Sequence, residues 1–296
     1  MLSTKKYCNF AIINQYYIIM KKIILLSLSA VLISIEFTSC IKKEEMQMRE
    51  INYSNKFYLS PDTSIGALSV SINVELPDKY HDKEVMENIQ KQIIAKIFNE
   101  QYTHIPVDSI VPVYVRKLYQ SYLQDYTPDF QEAVKKTGGP KMNNEIDIEG
   151  VSMFLDNKIL SYSYESFVYL GGAHGNTNRM LYNFDLRNAY IIKESDLFIS
   201  DYKETLTELI KEQIVEQSAE IESVADLNDF DFWADQIKPN ENFYISEDGL
   251  VYVFNPYEIA PYSMGQTEVT LPYEKLKPLL KPGNIIEYLY KNTPVK

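Results

Sequence analysis

The feature that most limits the fold of this chain is an alternation of polar and apolar residues near its middle. Within ILSYSYESFVY, residues 159–169, Leu160, Tyr162 and Tyr164 alternate with serines and Glu165. A period of two is that of a β-strand with one buried face. The turn sequence Asp156-Asn157-Lys158 precedes it and follows another apolar stretch. The pattern therefore predicts an antiparallel hairpin.

Further strands are predicted on both sides of this hairpin. Leu68, Val70, Ile72 and Val74 alternate in an earlier segment, and the residues of 182–186 do so in a later one. Residues 243–273 have the pattern of a strand, a turn at Glu247–Gly249, a second strand, a loop rich in proline and tyrosine, and a third strand.

Three amphipathic helices are predicted between these strands. The first is capped by Asp82, and the second by Asp108, with Pro112 in its first turn. The third begins at Asp201, which has the spacing of a capping box with Glu204. Their apolar residues recur every three or four positions, as in a helix with one buried face. Residues 226–242, which include Trp233, are predicted to form a turn or a short helix.

Strands and helices are segregated along the chain, and short turns join neighbouring strands. This order favours an α+β fold with antiparallel sheets and packed helices over a doubly wound α/β fold. We expect two small domains, at residues 56–178 and 179–296, with the boundary near Asn178.

The first forty residues have the order of a secretory signal. Met20-Lys21-Lys22 is a basic start, residues 23–35 are mostly apolar, and FTSC ends at Cys40. The segment resembles a bacterial lipoprotein signal. We therefore predict that translation starts at Met20, that residues 1–39 are removed, and that Cys40 receives a lipid that anchors the protein to a membrane.

Residues 40–55 are predicted to be a tether between the lipid and the first domain, because they are charged and lack periodicity. The KKEE run at Lys42–Glu45 resembles the surface-export signals of some lipoproteins. The alternative is that these charged residues are simply part of a solvated tether and have no export role. We expect a lipid-anchored location in the cell envelope, with the outer membrane or the cell surface as candidate sites.

The charge balance restricts the partners. The chain carries a net charge of −12, and the predicted signal carries +3, so the mature protein would carry −15. Nucleic acid is not expected as a partner, because phosphate binding requires basic surfaces. Acidity favours solubility, and it also attracts a cationic partner.

The segment YLGGAHGNTNRM, residues 169–180, raises the question of whether His174 is catalytic. Only three histidines occur in the chain, and none has the spacing of a metal site. We predict no catalytic residue, no metal and no cofactor. The glycines permit a sharp turn, in which His174 is a structural or contact residue and Asn176 and Asn178 bond their own backbone.

The proline and tyrosine loop, Asn255–Gly265, has the composition of a contact surface. Tyr257, Pro261 and Tyr262 combine large amphipathic rings with a restricted backbone. Packing of the two tyrosines against the core is an equal alternative. The candidate ligand-binding residues are His174, Asn176, Tyr257, Pro261 and Tyr262.

The GGAHG and NPYEIAPYxxG segments, with the strand order around them, resemble a known pair of extracytoplasmic domains. The pair occurs in RsiV-like anti-sigma factors and in the non-catalytic N-terminal region of PdaC-type peptidoglycan deacetylases. The resemblance implies a PdaC-like domain followed by an RsiV-type domain of unknown function, in a stand-alone lipoprotein. It does not carry over the anti-sigma or deacetylase activity, because neither the sigma-binding segment nor the deacetylase domain is recognised in the sequence.

The resemblance also implies a partner, because the RsiV branch binds lysozyme. We therefore expect a non-enzymatic binding protein for a protein or glycan ligand, with a cationic protein such as lysozyme or a cell-wall glycan as candidates. The alternative is a hydrolase or deacetylase that acts on the cell wall with His174 and carboxylates.

Overall fold

The computed structural model describes residues 45–137 and 142–291, and most of its strands form one six-stranded sheet. The strands follow one another in chain order: β1 Gln47–Tyr58, β2 Ala67–Lys79, β3 Asn144–Leu155, β4 Ile159–Tyr169, β5 Asn176–Asp185 and β6 Tyr190–Ile191. The predicted hairpin is confirmed as β3 and β4. Its turn is closed by Asp156, whose Oδ1 accepts the backbone N–H groups of Lys158 and Ile159.

One strand pair differs from the predicted antiparallel arrangement. β2 and β3 are parallel, while the other pairs in this sheet are antiparallel. Parallel neighbours need a long crossover connection. The described part of the connection contains three α-helices, α1 Lys83–Phe98, α2 Val107–Asp125 and α3 Pro128–Thr137, and the 3-10 helix Glu100–Tyr102.

Helix α1 begins as the sequence predicts. Asp82 accepts the backbone N–H of Val85 at 3.1 Å, which satisfies one of the free N–H groups of the first turn. Its buried face includes Ile89, Ile93 and Ile97, which belong to the same buried cluster as the apolar residues of β2.

Two other helix starts differ in detail from the prediction. α2 begins two residues earlier, with Pro106 in place of Asp108 as its N-cap, so that Asp108 lies in the first turn and Pro112 lies inside the helix. The capping box at Asp201 does not form, because Asp201 is left-handed (φ 62°) and its side chain makes no capping hydrogen bond. An N-cap residue needs extended backbone angles for its side chain to reach the following N–H groups.

The prediction of a tether up to residue 55 is wrong for residues 47–55, which belong to β1. This strand pairs with β2 along its whole length. Ile51, Tyr53 and Phe57 pack on the buried cluster that α1 forms with β2. β1 lies at the edge of the sheet. Edge strands commonly carry charged residues that discourage further pairing, which explains why this strand has the composition of a tether.

The second sheet has three antiparallel strands, β7 Phe243–Ile245, β8 Gly249–Phe254 and β9 Thr267–Pro272, as predicted. The helices of this half are α4 Glu194–Leu197, α5 Tyr202–Gln217, α6 Tyr273–Leu276 and α7 Glu287–Lys291. The start of the region predicted as a turn or short helix, residues 226–242, is overlapped by the 3-10 helix Val224–Phe230. Apolar residues of this half form a second buried cluster.

Buried asparagines connect the two sheets. Asn183 on β5 donates from Nδ2 to the carbonyl of Phe243 on β7 at 2.8 Å, and its Oδ1 accepts the N–H of Ile245 at 2.9 Å. Asn242 accepts the N–H of Leu181 at 2.9 Å through Oδ1. The side chain of Asn255 accepts the backbone N–H of Arg179 and donates to the backbone carbonyl of the same residue. We call Asn183, Asn242 and Asn255 the amide seam.

The α+β class is confirmed, with each sheet packed against helices. The predicted boundary at Asn178 falls inside β5, and the domain limits remain a prediction. The predicted signal and Cys40 lie outside the described residues. Among the described helices, none is long and apolar enough to cross a membrane.

The contact between β3 and β4 at Gly150 generates the first prediction. A Cβ at this position would lie 2.3 Å from the hydroxyl oxygen of Tyr162, which itself donates to the carbonyl of Glu75 at 2.8 Å. Gly150→Ala should therefore lower the free energy of unfolding by about 1–3 kcal/mol in urea denaturation, because the packed core must shift.

The double variant Gly150→Ala/Tyr162→Phe is the control. It removes the atom nearest to the new methyl group, so its loss of stability should be smaller than the sum of the two single losses. Additive losses would show that the overlap with the hydroxyl is not the cause.

Candidate functional site

The GGAHG loop, Gly171–Gly175, connects β4 to β5 and needs its glycines for two different reasons. Gly171 and Gly172 have φ values of 91° and 109°, which side chains rarely adopt. At Gly175, a Cβ would lie 2.2 Å from the ring of Phe167. The glycines therefore permit both the turn and the close packing at its end.

His174 is exposed at the surface and contacts a tyrosine far away in the sequence. Its ring stacks on Tyr262, with centroids 4.0 Å apart and an angle of 23° between the planes. Its Nδ1 lies 2.8 Å from the carbonyl oxygen of Gly175, so Nδ1 is the donor, since a carbonyl only accepts. The hydroxyl of Tyr262 donates to the same carbonyl at 3.0 Å.

Tyr257 extends this contact into a row of three rings. Its ring centroid lies 5.8 Å from that of Tyr262, and 53% of the residue is exposed. Pro261 directly precedes the 3-10 turn Tyr262–Met264. The structure thus brings together His174, Tyr257 and Tyr262, which we call the ring row.

Asn176 lies apart from these contacts. It is the first residue of β5, is exposed, and pairs through its backbone with Val168. The predicted turn bonds of Asn176 and Asn178 do not form, because both residues are part of β5. Neither side chain makes a hydrogen bond to any residue that the structure describes.

The proline and tyrosine loop is attached to the first sheet through Asn255. This buried side chain accepts the N–H of Arg179 at 2.7 Å and donates to the carbonyl of Arg179 at 3.0 Å. β6 pairs with Phe184 and Asp185, and within the described part of the chain no strand pairs with the outer edge of β5 near Arg179. The Asn255 amide replaces one there.

Among the described residues, no carboxylate makes a hydrogen bond to His174. Glu194 is buried, and burial raises the pKa of its carboxyl group. Its oxygens accept hydrogen bonds from the hydroxyl of Tyr202 at 2.8 Å and the N–H of Glu241 at 3.0 Å. In residues 45–137 and 142–291, no cluster of His, Cys, Asp or Glu has the geometry of a metal site.

Two features of the site were missed from the sequence. The amide seam could not be predicted, because isolated asparagines carry no periodic signal. For Trp233 the sequence predicts only a turn or a short helix, whereas the structure shows that it lines a surface cavity together with Tyr257. It is the single tryptophan of the chain, and that rarity was the available signal.

Comparison with known proteins confirms the resemblance seen in the sequence. Residues 67–177 match the family model described as Deacetylase PdaC. Residues 195–274 match the model described as Protein of unknown function (DUF3298). The chain therefore carries a PdaC-like segment followed by a DUF3298 segment, and the proline and tyrosine loop lies within the second.

Two curated relatives come from Bacillus subtilis strain 168. The chain is 24% identical to the peptidoglycan-N-acetylmuramic acid deacetylase PdaC over 151 residues, which cover 50% of this chain and 32% of the deacetylase. It is 34% identical to the anti-sigma-V factor RsiV over 105 residues, or 32% of this chain and 35% of that factor. The match thus spans about a third of each relative.

Solved structures share the fold over most of the chain. A crystal structure of a DUF3298 family member from Bacteroides fragilis NCTC 9343 has a TM-score of 0.78 and 28% identity. The match covers 85% of this chain and all of that one. A DUF3298 family protein from Pseudomonas aeruginosa PAO1 has a TM-score of 0.53 and 14% identity, over 81% of this chain and 96% of that one.

The Asn255 contact gives a prediction for the site. Asn255→Ala removes both bonds to the backbone of Arg179 and leaves buried polar groups without this partner. The free energy of unfolding should fall by about 1–3 kcal/mol in urea denaturation. Hydrogen exchange of the backbone in residues 255–265 should also become faster, because the loop loses its attachment to β5.

Asn178→Ala is the matched control, since this half-buried residue of β5 makes no side-chain hydrogen bond to the described residues. Its effect on stability should stay within about 0.5 kcal/mol. Equal effects of the two variants would contradict the role given to Asn255.

Proposed function

We propose that this chain is a lipid-anchored protein of the bacterial cell envelope that binds a protein or glycan ligand through the ring row. The single observation behind the binding role is that two loops present three adjacent rings at the surface. The loops are joined by the hydrogen bond between Tyr262 and Gly175, which are 87 residues apart in the sequence. Aromatic rings with a polar end are favoured at binding surfaces, because they bury much area and lose little side-chain entropy.

The envelope location is supported by the curated relatives. One is named as a peptidoglycan deacetylase and the other as an anti-sigma factor, and the described part of this chain matches the PdaC and DUF3298 segments. The lipoprotein-like signal before Cys40 agrees with this location.

The partner class that we propose is a cationic protein of the lysozyme type. The net charge of −12 rises in magnitude to −15 once the predicted signal is removed. A charge of this size accelerates association with a cationic protein, and salt weakens the attraction over a Debye length of about 8–10 Å. The resemblance to RsiV-like anti-sigma factors implies the same partner class, and the chain is similar to one such factor over 105 residues.

Lysozyme binding tests this proposal. The full chain, purified in mild detergent, should bind lysozyme in a calorimetric titration, with an affinity that falls as salt rises. Tyr262→Ala should weaken binding about tenfold or more, because central aromatic residues dominate most interfaces. Tyr190→Ala is the matched control, since Tyr190 on β6 is also exposed, at 49%, and belongs to no part of the ring row.

An unrelated protein of similar negative charge separates specific binding from simple attraction. If it binds lysozyme as tightly as the wild-type chain at low salt, the lysozyme proposal fails. A panel of peptidoglycan and acyl-ester substrates tests the enzymatic alternative. Turnover by the wild type that disappears in a folded His174→Ala variant would replace the binding role with a catalytic one.

Anchoring depends on Cys40 and can be tested separately. Cys40→Ser should remain unprocessed or be released, while the wild type should partition with membranes and carry an acyl mass on Cys40. Protease treatment of intact cells distinguishes surface exposure from an inner location. A soluble wild-type protein without an acyl group would contradict the anchor.

A further inference from the structure

A surface cavity of about 490 Å³ lies beside the ring row and has two exposed aromatic walls. Trp233, 39% exposed, and Tyr257, 53% exposed, both line it. We call it the Trp233 groove. Its volume lies within the range of about 300–1,000 Å³ that is usual for small-molecule sites. Large aromatic rings are normally buried, so two exposed rings on one cavity need an explanation.

Backbone contacts fix the spacing of the two rings. The N–H of Trp233 donates to the carbonyl of Ile259 at 2.7 Å, which ties the tryptophan segment to the proline and tyrosine loop. Tyr257 is left-handed, with φ of 71°, and its N–H donates to the carbonyl of Ala260 at 3.0 Å. Such backbone strain in a non-glycine residue is concentrated at functional sites.

The other lining residues are polar: Asn228, Asp235, Gln236 and Glu258. Glu258 is oriented by the amide of Asn240, which donates to its Oε2 at 3.0 Å. Asn228 accepts the N–H of Ala234 at 3.2 Å through Oδ1. The side chains of Asp235 and Gln236 make no hydrogen bond to other residues in the described ranges. Amide and carboxylate groups are therefore available to a ligand.

We infer that the Trp233 groove binds a pyranose oligosaccharide that carries no acidic group. The C–H face of a pyranose ring packs on an aromatic ring through dispersion, and its hydroxyl groups donate to carboxylates and exchange bonds with amides. The two aromatic walls and the four polar side chains supply both kinds of contact. The inference rests on the proposed binding function and names one ligand class for it.

The charge of the groove defines which sugars it accepts. Asp235 and Glu258 contribute two negative charges, and no cation is among the lining residues. An acidic sugar would bring like charges together, whereas a neutral or amine-bearing sugar would not. We therefore expect the groove to accept N-acetylglucosamine and glucosamine oligomers and to reject galacturonic acid oligomers.

Trp233 is itself the probe for the experiment, because it is the only tryptophan in the sequence. The full chain should be purified in a detergent without a sugar headgroup and titrated with the three tetramers. The first two should produce a saturable change in tryptophan fluorescence, and the galacturonic acid tetramer should produce none. No change with either amino-sugar tetramer up to about 10 mM, or equal binding of the acidic tetramer, would overturn the inference.

Variants locate the binding site. Tyr257→Ala should weaken binding about tenfold when measured by tryptophan fluorescence, and Trp233→Ala should do so when measured by calorimetry. Tyr190→Ala should bind as the wild type does. Asp235→Lys should weaken binding of the glucosamine tetramer about two- to fivefold and binding of the neutral tetramer less, because both sugars lose a hydrogen-bond acceptor and only the amine meets a new like charge. Because Asp235 is exposed and its side chain makes no hydrogen bond to a described residue, this variant should fold even if Trp233→Ala does not.

The results separate this inference from the proposed function. Lysozyme binding without a response to the amino-sugar tetramers would overturn the groove and leave the protein partner in place. Affinities for these tetramers that are unchanged in both Tyr257→Ala and Asp235→Lys would place the sugar elsewhere, and would also overturn the inference.

Discussion

The architecture of this protein depends on how the outer edge of β5 is satisfied. A strand edge exposes N–H and C=O groups that must find partners or remain in water. β6 covers only the last two residues of β5. Next to this pair, the N–H of Ile192 donates to the carbonyl of Asn183 at 2.7 Å. Farther along the edge, the amide groups of Asn242 and Asn255 bond the backbone at Arg179 and Leu181. Because one amide carries both a donor and an acceptor, it pairs with a peptide group as a neighbouring strand would.

This solution has a structural consequence that a partner strand would not have. A further strand would extend the first sheet, whereas the amide seam ends it and joins it to the second sheet. Asn183 completes the seam by bonding β7 at Phe243 and Ile245. A buried amide without partners would be strongly unfavourable, so the two sheets stay in one relative position. The proline and tyrosine loop, which begins at Asn255, is fixed by the same bonds.

The ring row follows from this placement. Once Asn255 is attached at Arg179, the loop that follows it passes beside the GGAHG loop, and Tyr262 reaches the carbonyl of Gly175. His174 uses the same carbonyl, so one backbone oxygen orients two stacked rings. The absence of a side chain at Gly175 permits the close approach of Phe167 behind it. Two motifs that are separate in the sequence therefore form one surface.

Sequence reasoning succeeded where structure is determined by near neighbours. The hairpin of β3 and β4 is specified by alternation and by the Asp156 turn, and the start of α1 by Asp82. It failed where a distant partner decides the outcome. β1 has the composition of a tether and becomes a strand only because β2 offers a long pairing edge. The parallel pairing of β2 with β3 likewise depends on how three helices pack, which no local pattern records.

The candidate site was likewise predictable from the sequence only in part. His174, Tyr257 and Tyr262 were recognisable because glycine and proline mark their loops, but their mutual contact was not. Trp233 is brought to Tyr257 by a single backbone bond to Ile259, and no spacing in the sequence indicates that bond. The acidity of the chain acts over a Debye length and attracts many cationic molecules alike. Selection among them depends on contacts at bonding distance, and in this fold the amide seam fixes the loop that carries two of the three rings of the ring row.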